Sequence, residues 1–241
     1  MRKKNKIRII ITGGSGRFGK VLKRIKKSHN VYFPNKNQLN ILNITSIKKF
    51  LKKIKPKYLI HLAGLSRPLS VHENKINESI DLNIIGTCNI TKVCSDLKIK
   101  LIYFSTHYVY PGIKGNYKET DPILPYNNYA WSKLGGECAV KLYKNSLILR
   151  VCMTENPFVH KKAFFDVKNN FIFHEKIAEK LYKILDLKGI YNLGGAKNTV
   201  YKFAKKENPK IKKIYARKIF GKKYPLNQDM DLNKIKKYID I

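Results

Sequence analysis

Acidic residues are scarce in this chain of 241 residues: 16 Asp and Glu stand against 50 Lys and Arg, which gives a formal net charge of +34. Such a surplus is typical of proteins that bind nucleic acids or anionic membranes. The lysines, however, are spread over every predicted helix and form no tract interleaved with aromatic residues. We therefore interpret the charge as a compositional bias and expect neither nucleic acid nor membrane as a partner. Its field would still attract a small anionic substrate.

Cysteine is also scarce, and its four copies, like the six histidines, show no spacing typical of a metal site. The cysteines are Cys88, Cys94, Cys138 and Cys152. Cys88 and Cys94 fall in one helical pattern and are expected to be small buried residues in a reducing compartment. We predict that the protein binds no metal.

Long apolar runs are missing as well, since none approaches the roughly 18–20 residues that span a bilayer. The segment Met1–Lys6 is basic, but it precedes a short strand and a glycine turn instead of the apolar core of a signal peptide. We expect a cytoplasmic protein. An apolar content of 43% is that of a globular chain, and the length predicts one large domain or two intimate ones.

Glycine is concentrated near the start of the chain. The β-branched run Ile7–Thr12 predicts a strand, and the amphipathic segment Lys20–Lys27 predicts a helix. Between them Gly13, Gly16 and Gly19 have the spacing GxxGxxG. A strand, a glycine turn and a helix in this order predict a site where a dinucleotide pyrophosphate meets the helix start. An ordinary strand-to-helix turn is the alternative.

The second predicted strand, Val31–Phe33, bears on which dinucleotide would bind. Proteins selective for NAD usually carry an acidic residue at the end of this strand, on the ribose 2′-hydroxyl. Here Pro34–Asn37 follows and contains no carboxylate, whereas Lys36 and Arg17 are cationic. The sequence therefore favours NADP(H), with NAD(H) as the alternative.

Further strands and helices follow with the alternation of a doubly wound parallel sheet. The segments Thr45–Lys55 and Asn74–Leu97 are predicted helices. The predicted strand Tyr58–Leu62 runs into the small residues Ala63 and Gly64, followed by Leu65. Ser105 and Thr106 follow the predicted strand Leu101–Phe104. Ligands of such sheets bind beyond the carboxyl ends of the strands, where a hydroxyl group can hydrogen-bond a substrate carbonyl. A strand-end turn with no catalytic role is the alternative.

Tyr129 and Lys133 are spaced as i and i+4 on a predicted helix, so they share one face. The pKa of a free tyrosine is about 10, and a nearby ammonium group lowers it. Tyr129 could then act as a general acid or base. The pair alone is common in a chain rich in Lys and Tyr, and an exposed helix face would produce it too.

Taken together, the stretches resemble the extended short-chain dehydrogenases/reductases, and within them the dTDP-4-dehydrorhamnose reductase family. The stretches that carry the resemblance are Gly13–Gly19, Ala63–Leu65, Asn83–Thr87, Ser105–Tyr110, Gly115–Pro122 and Tyr129–Lys133, and more loosely Gly189–Gly195 and Asp231–Ile235.

The resemblance implies a set of roles. A nicotinamide cofactor would reduce the C4 ketone of a nucleotide-linked 4-keto-6-deoxy sugar. Tyr129 would donate the proton, Lys133 would hold the nicotinamide ribose and keep the Tyr129 pKa low, and Thr106 would hydrogen-bond the ketone, with Ser105 as runner-up. His107 would contact the substrate. The cofactor would be held by Gly13, Gly16, Arg17, Phe18, Gly19, Lys36, Ala63, Gly64, Leu65, Tyr129 and Lys133.

The chain also departs from the family it resembles. His107 stands where the family usually has Asp, and Met153 stands near a position of a family tryptophan. The region Val151–Phe173 is shorter than its counterpart, which normally builds the sugar pocket. The pocket could be open, completed by a partner, or suited to a smaller ligand.

The carboxyl third is predicted to form a small substrate lobe. It contains predicted helices at Glu175–Leu185 and Tyr201–Glu207, and residues 224–241 are predicted to pack as a final helix. The lysine-dense residues 210–223 are either a basic groove for a nucleotide diphosphate or a solvated face.

We therefore predict an NAD(P)-binding domain over residues 1–155 and a smaller substrate lobe over 156–241, compatible with a homodimer. Two other functions remain open at this stage. One is a nucleotide-sugar epimerase or dehydratase with retained NAD. The other is a non-catalytic regulatory subunit that kept the fold, as in the reductase-like subunit of methionine adenosyltransferase.

Overall fold

The computed structural model describes residues 6–25 and 29–241. The basic segment 1–5 and residues 26–28, which include the end of the predicted helix Lys20–Lys27, lie outside the described residues. By its contacts the chain divides into two compact units whose segments alternate along the sequence. The first unit comprises the described parts of Met1–Ser105, Trp131–Ile148 and Leu185–Gly189. The second comprises Thr106–Ala130, Leu149–Ile184 and Ile190–Ile241.

A six-stranded sheet forms the centre of the fold, as predicted. Its strands are β1 (Arg8–Thr12), β2 (Asn30–Tyr32), β3 (Tyr58–His61), β4 (Lys100–Thr106), β5 (Ser146–Val151) and β10 (Gly189–Leu193). Their order is β10-β5-β4-β3-β1-β2, and the pairs β1–β2, β1–β3 and β3–β4 are parallel. The strand order therefore reverses beside β1, so the carboxyl ends of β1 and β3 border the switch point where such sheets bind ligands.

The helices of the first unit connect these strands. They are α1 (Arg17–Arg24), α2 (Ile44–Ile54), α3 (Val71–Asn74), α4 (Ile76–Ser79), α5 (Gly86–Asp96) and α6 (Asn128–Leu142), of which α6 begins in the second unit. The predicted helix Thr45–Lys55 is confirmed within one residue at each end. The Asn43 side chain caps α2 by accepting from the backbone N–H of Ser46, and Lys55 ends it in the left-handed conformation.

One helical stretch differs from the regular helix predicted over Asn74–Leu97. The segment Ile80–Ile85, between α4 and α5, is a π-helix. Each backbone hydrogen bond of a π-helix spans five residues, so the stretch holds one residue more than an α-helix of the same number of turns. Asn83 lies at its centre and is buried. Cys94 is buried as predicted, whereas Cys88 is only half-buried.

The second unit contains shorter elements. They are β6 (Met153–Thr154), β7 (Lys162–Phe164), β8 (Lys168–Asn169), β9 (Ile172–Phe173), α7 (His174–Lys180), β11 (Asn198–Thr199), α8 (Val200–Glu207), β12 (Lys212–Ile214), α9 (Ala216–Phe220) and α10 (Asn233–Lys236). Three two-stranded ladders join β6 to β9, β7 to β12 and β8 to β11. They surround a small core: Phe158, Ala163, Val167, Val200, Ala204, Ile211 and Ala216.

The final helix predicted over residues 224–241 is wrong, because only α10 is helical there. Pro225 has no N–H group to give to a helix. The backbone N–H groups of Asn227, Gln228 and Asp231 instead donate to carbonyl oxygens of other segments, at 2.8 Å in each case. Among the described residues, no helix is long and apolar enough to cross a membrane.

Candidate active site

The glycine turn lies at the carboxyl end of β1 and contacts the end of β3. Gly13 has a φ of +71°, and a Cβ there would lie 2.6 Å from the backbone nitrogen of Ala63. At Gly19, a Cβ would lie 2.4 Å from the carbonyl oxygen of Gly13. Both positions therefore require glycine. The backbone that approaches Gly19 belongs to the glycine turn itself, at Gly13 and Gly14.

Helix α1 begins at this turn and suits an anion. Its first residue follows Gly16, which provides no side-chain cap, and the first turn of the helix contains no acidic residue. Backbone N–H groups at such a helix start are oriented toward an anionic ligand. The residues present thus fit the pyrophosphate of a dinucleotide.

The other predicted cofactor residues lie in different surroundings. Arg17 donates from Nη2 to the Ser66 hydroxyl at 2.7 Å, so it links the glycine turn to the loop after β3. The Phe18 ring is buried against Phe104, with 5.3 Å between the ring centroids, so its side chain contributes packing. Lys36 is exposed in the turn after β2.

Asn83 fixes the loop after β3. Its Oδ1 accepts from the backbone N–H of Leu65 at 2.7 Å, and its Nδ2 donates to the Leu65 carbonyl at 2.9 Å and to the Ser132 hydroxyl at 2.8 Å. A Cβ on Gly64 would lie 2.7 Å from Asn83 Oδ1. The small residue at position 64 therefore makes room for the amide, and the amide ties the loop to the helix residue before Lys133.

A row of buried side chains crosses the carboxyl ends of β1, β3 and β4. Thr12 pairs in register with His61, and His61 pairs with Tyr103. The His61 ring contacts the Thr12 hydroxyl at 2.8 Å through Nδ1 and the Thr87 hydroxyl at 3.1 Å through Nε2. Burial lowers the pKa of His61 to about 3, with a smaller contribution from the charge of Lys133. His61 is thus neutral at ordinary pH.

Lys133 is buried next to this row. Its Nζ lies 4.2 Å from the centroid of the Tyr103 ring, and the Tyr103 hydroxyl donates to the Lys133 carbonyl at 2.9 Å. Burial lowers the pKa of Lys133 to about 7, while the negative charge of Glu137 acts in the opposite direction. Lys133 therefore loses its proton at lower pH than a solvent-exposed lysine does.

Glu137 is a buried carboxylate near Lys133 that the sequence did not single out. It is buried one helical turn after Lys133, and its Oε2 accepts from the Ser105 hydroxyl at 2.5 Å. The spacing Tyr129, Lys133, Glu137 places all three on one face of α6, and that repeated interval was the available signal. Ser105 is engaged by this carboxylate, which weakens the case for Ser105 as the group that binds a ketone.

Thr106, the first residue of the second unit, remains suited to that role. Its Oγ1 accepts from the backbone N–H of Tyr108 at 3.3 Å, which caps the 3₁₀ turn His107–Val109. A hydroxyl that accepts one hydrogen bond can still donate another. Thr106 can therefore present a proton to a carbonyl oxygen.

The His107 side chain is held by contacts within the protein. It is buried, and its Nδ1 donates to the Val151 carbonyl at 3.1 Å. Its ring centroid lies 4.1 Å from that of Tyr108. Burial lowers the pKa of His107 to about 4, so the ring is neutral at ordinary pH. These contacts support Tyr108, and the predicted contact of His107 with substrate stays a prediction.

Tyr129 lies in the first turn of α6, as predicted, and is half-buried. Its ring meets that of Tyr108 edge-on, with centroids 6.3 Å apart and the planes at 85°. Lys133 follows one turn later on the same helix face. Within the described ranges, no group of three or more His, Cys, Asp or Glu could hold a metal ion.

A glycine turn at the switch point of a parallel sheet, with Tyr129 and Lys133 on one helix face, defines a short-chain dehydrogenase/reductase of the extended type. Residues 7–161 match the family described as "RmlD substrate binding domain", and the chain belongs to that family.

Individual relatives of two kinds are similar to the chain. It is 29% identical over 142 residues to methionine adenosyltransferase 2 subunit beta from Pongo abelii, which covers 55% of this chain and 42% of that protein. It is 28% identical over 188 residues to dTDP-4-dehydrorhamnose reductase from Aggregatibacter actinomycetemcomitans, covering 76% and 60%. The chain thus spans about half the length of these curated relatives.

Among solved structures, dTDP-4-dehydrorhamnose reductase from Bacillus anthracis in complex with NADP shares the fold. The TM-score is 0.86 at 22% sequence identity, over 98% of this chain and 95% of that one.

Proposed function

We propose that the protein is an NADP(H)-dependent reductase of a 4-keto-6-deoxy nucleotide sugar in deoxysugar or surface-glycan synthesis. The observation that carries the proposal is the spacing on α6, where Tyr129, Lys133 and Glu137 follow at intervals of four residues and the Lys133 amine lies against the buried Tyr103 ring. This spacing would put a phenol that donates a proton on the same helix face as an amine whose pKa a carboxylate raises.

Each residue has a distinct role in the proposed reaction. The nicotinamide, when bound, supplies a hydride. Thr106 donates a hydrogen bond to the ketone oxygen and stabilises the negative charge that develops there. Tyr129 gives its hydroxyl proton to that oxygen, and protonated Lys133 stabilises the phenolate that remains.

The glycine turn and the loop after β3 hold the cofactor in this proposal. Gly13 and Gly19 would form the tight turn at the start of α1, Gly16 would let the pyrophosphate approach the backbone, and Ala63–Leu65 would form the adjoining wall. The proposal assigns the 2′-phosphate to Lys36 and Arg17, which are cationic and follow β2 and β1. NAD(H) is then the poorer cofactor, because no carboxylate follows β2 to bind the ribose 2′-hydroxyl.

The proposal also covers the organisation of the chain. Residues 1–155 would supply the dinucleotide site and residues 156–241 the substrate lobe. The protein would act in the cytoplasm, and a homodimer is compatible with it.

A non-catalytic cofactor-binding subunit is the second candidate. It is favoured by the similarity to methionine adenosyltransferase 2 subunit beta, whose name describes it as a subunit, at 29% identity over 142 residues. In that case the glycine turn would still bind the dinucleotide, and Tyr129 would not turn over a substrate.

A panel of 4-keto nucleotide sugars tests the proposal directly. Each sugar is mixed with NADPH and the purified full chain, and NADPH oxidation is followed at 340 nm. At least one sugar should be reduced, and NADPH should be preferred to NADH. Tight NADPH binding with no oxidation across the panel would exclude the reductase and leave the non-catalytic subunit.

A further inference from the structure

A row of aromatic rings in the second unit connects Tyr129 with the surface. Tyr108 lies 6.3 Å from Tyr129 and 5.4 Å from Tyr126, measured between ring centroids. Tyr126 lies 6.0 Å from Tyr224, and Tyr224 lies 4.7 Å from Phe220. Four successive ring contacts therefore lead from the proposed proton donor to the end of α9.

The last two rings of the row are arranged as a stack. Phe220 and Tyr224 are inclined by only 20°, whereas the other three contacts are edge-on at 67° to 85°. Phe164 touches the pair from the side, 5.9 Å from Phe220 and 6.1 Å from Tyr224. Tyr224 is half-buried, but Phe220 is 56% exposed. One end of the stack is thus open to solvent.

The stack stays uncharged at ordinary pH, while the chain beside it is strongly basic. Burial raises the pKa values of Tyr224 and Tyr126 above the usual tyrosine range, so both remain neutral phenols. Arg217, Lys218, Lys222 and Lys223 flank Phe220 in sequence and are all exposed. An exposed aromatic ring with exposed cations within three residues in sequence fits a ligand that has a flat ring and negative charges.

We propose that the Phe220–Tyr224 stack binds the base of a nucleoside diphosphate, and that Lys222 and Lys223 bind its diphosphate. The proposal rests on the proposed function in one respect, because it takes this nucleotide to be the carrier of the sugar that reaches Tyr129. A nucleotide sugar has its base at one end and the reacting sugar at the other. The rings of Tyr126 and Tyr108 lie in successive contact between the stack and Tyr129.

Free dTDP and UDP are the probes, and their dissociation constants are measured by calorimetry on the full chain in the presence of saturating NADP⁺. Stacking of a base on an aromatic side chain contributes enough that its loss weakens binding by about tenfold or more. Phe220→Ala should therefore bind dTDP at least tenfold more weakly, and Phe220→Trp should bind it as well as the unmodified chain does.

Ile219 provides a matched control. It is the neighbouring residue on α9 and is also 56% exposed. Ile219→Ala removes a similar apolar area and should leave the dissociation constant unchanged. Equal losses in Ile219→Ala and Phe220→Ala would show a general effect on α9 and would overturn the proposal. Unchanged binding in Phe220→Ala would overturn it as well.

A second pair of measurements separates the contribution of charge to dTDP binding from the contribution of stacking. Lys222→Glu/Lys223→Glu should weaken dTDP and make the remaining binding less dependent on salt. Inorganic pyrophosphate should bind far more weakly than dTDP and should not respond to Phe220→Ala. If pyrophosphate binds as tightly as dTDP, charge alone accounts for the binding, and the role of the stack is overturned.

Failure of this proposal and failure of the proposed function have different signatures. Binding of dTDP that depends on Phe220, without reduction of any 4-keto sugar, would leave the stack in place and remove the reductase. If Phe220→Ala reduces a 4-keto sugar with an unchanged KM, the reductase is supported and the role of the stack is overturned.

Discussion

The residues proposed for the site have different surroundings in the two units of the chain. In the first, three buried pairs of polar side chains are hydrogen-bonded: Thr12 with His61, Asn83 with Ser132, and Ser105 with Glu137. In the second, the groups near Tyr129 are aromatic rings in edge-on contact, and the outermost ring is exposed. A buried polar network has one favourable arrangement, whereas ring contacts tolerate small shifts.

This contrast suggests a division of labour. On the proposed function, the first unit would fix the geometry and charge that the cofactor chemistry needs, and the second would offer a surface to the substrate. If this is correct, variants in the second unit change turnover and substrate binding. Variants in the first change the pH dependence and the choice of cofactor.

The largest effect is expected at Tyr129. Tyr129→Phe removes the hydroxyl that donates the proton, and positioned proton donors contribute roughly a hundred- to ten-thousandfold in rate. The kcat should fall within that range, with NADPH affinity nearly unchanged by fluorescence titration. Turnover equal to that of the unmodified chain would remove Tyr129 from the mechanism.

Thr106 should come next. Thr106→Val keeps the shape of the side chain but removes the hydroxyl, and loss of one such donor to a developing oxyanion costs about a hundredfold in kcat. Ser105→Ala is the matched control at the adjacent position, because the Ser105 hydroxyl is bonded to Glu137. If Ser105→Ala lowers kcat more than Thr106→Val does, Ser105 is the residue that binds the ketone.

A smaller effect, on pH dependence, is expected at Glu137. Lys133 has a pKa of about 7 and is needed in its charged form, so activity should decline as the pH rises through 7. Glu137 raises that pKa, so Glu137→Gln should move the decline to lower pH.

The control for this experiment is again Ser105→Ala, which removes the hydrogen bond but keeps the charge of Glu137. In Ser105→Ala, kcat/KM should decline over the same pH range as in the unmodified chain. An equal displacement in both variants would mean that the hydrogen bond matters and the charge does not.

The smallest effect is expected at Lys36. Exposed charge contacts are worth about 1 kcal/mol or less, so Lys36→Glu should shift the ratio of kcat/KM for NADPH over NADH roughly fivefold toward NADH. Lys53→Glu, an equally exposed charge reversal on α2, should leave the ratio unchanged. Without a shift in Lys36→Glu, the 2′-phosphate must be bound elsewhere.

The sequence predicted the first unit better than the second, for physical reasons. Strands β1, β3 and β4 are apolar runs buried on both sides, and Gly13 and Gly19 occupy positions where no side chain fits. Such requirements leave a local pattern. In the tail after Tyr224, backbone N–H groups donate to the carbonyl oxygens of Gly112, Tyr117 and Lys168, which are distant in sequence. Such long-range hydrogen bonds leave no local pattern, and the apolar spacing of the tail therefore predicted a helix that does not form.

Within the site, the residue types were predictable but their electrostatics were not. The i, i+4 spacing placed Tyr129 and Lys133 on one face. The pKa of Lys133 depends on burial against Tyr103 and on the charge of Glu137, and no local pattern reports burial of a lysine in a chain this rich in lysine. His61 and Asn83 likewise gained their roles from contacts across the sheet.

The π-helix Ile80–Ile85 makes the loop after β3 sensitive to a change in chain length as well as to a change of side chain. Deleting one codon there would let the stretch rewind as an ordinary α-helix and turn everything on one side of the cut by about 100°. Asn83 could no longer both clamp Leu65 and reach Ser132 while Thr87 kept its contact with His61. A substitution at an exposed position of the segment, such as Ile80 or Ile85, keeps the helix register, whereas loss of one residue shifts that register and displaces the loop after β3.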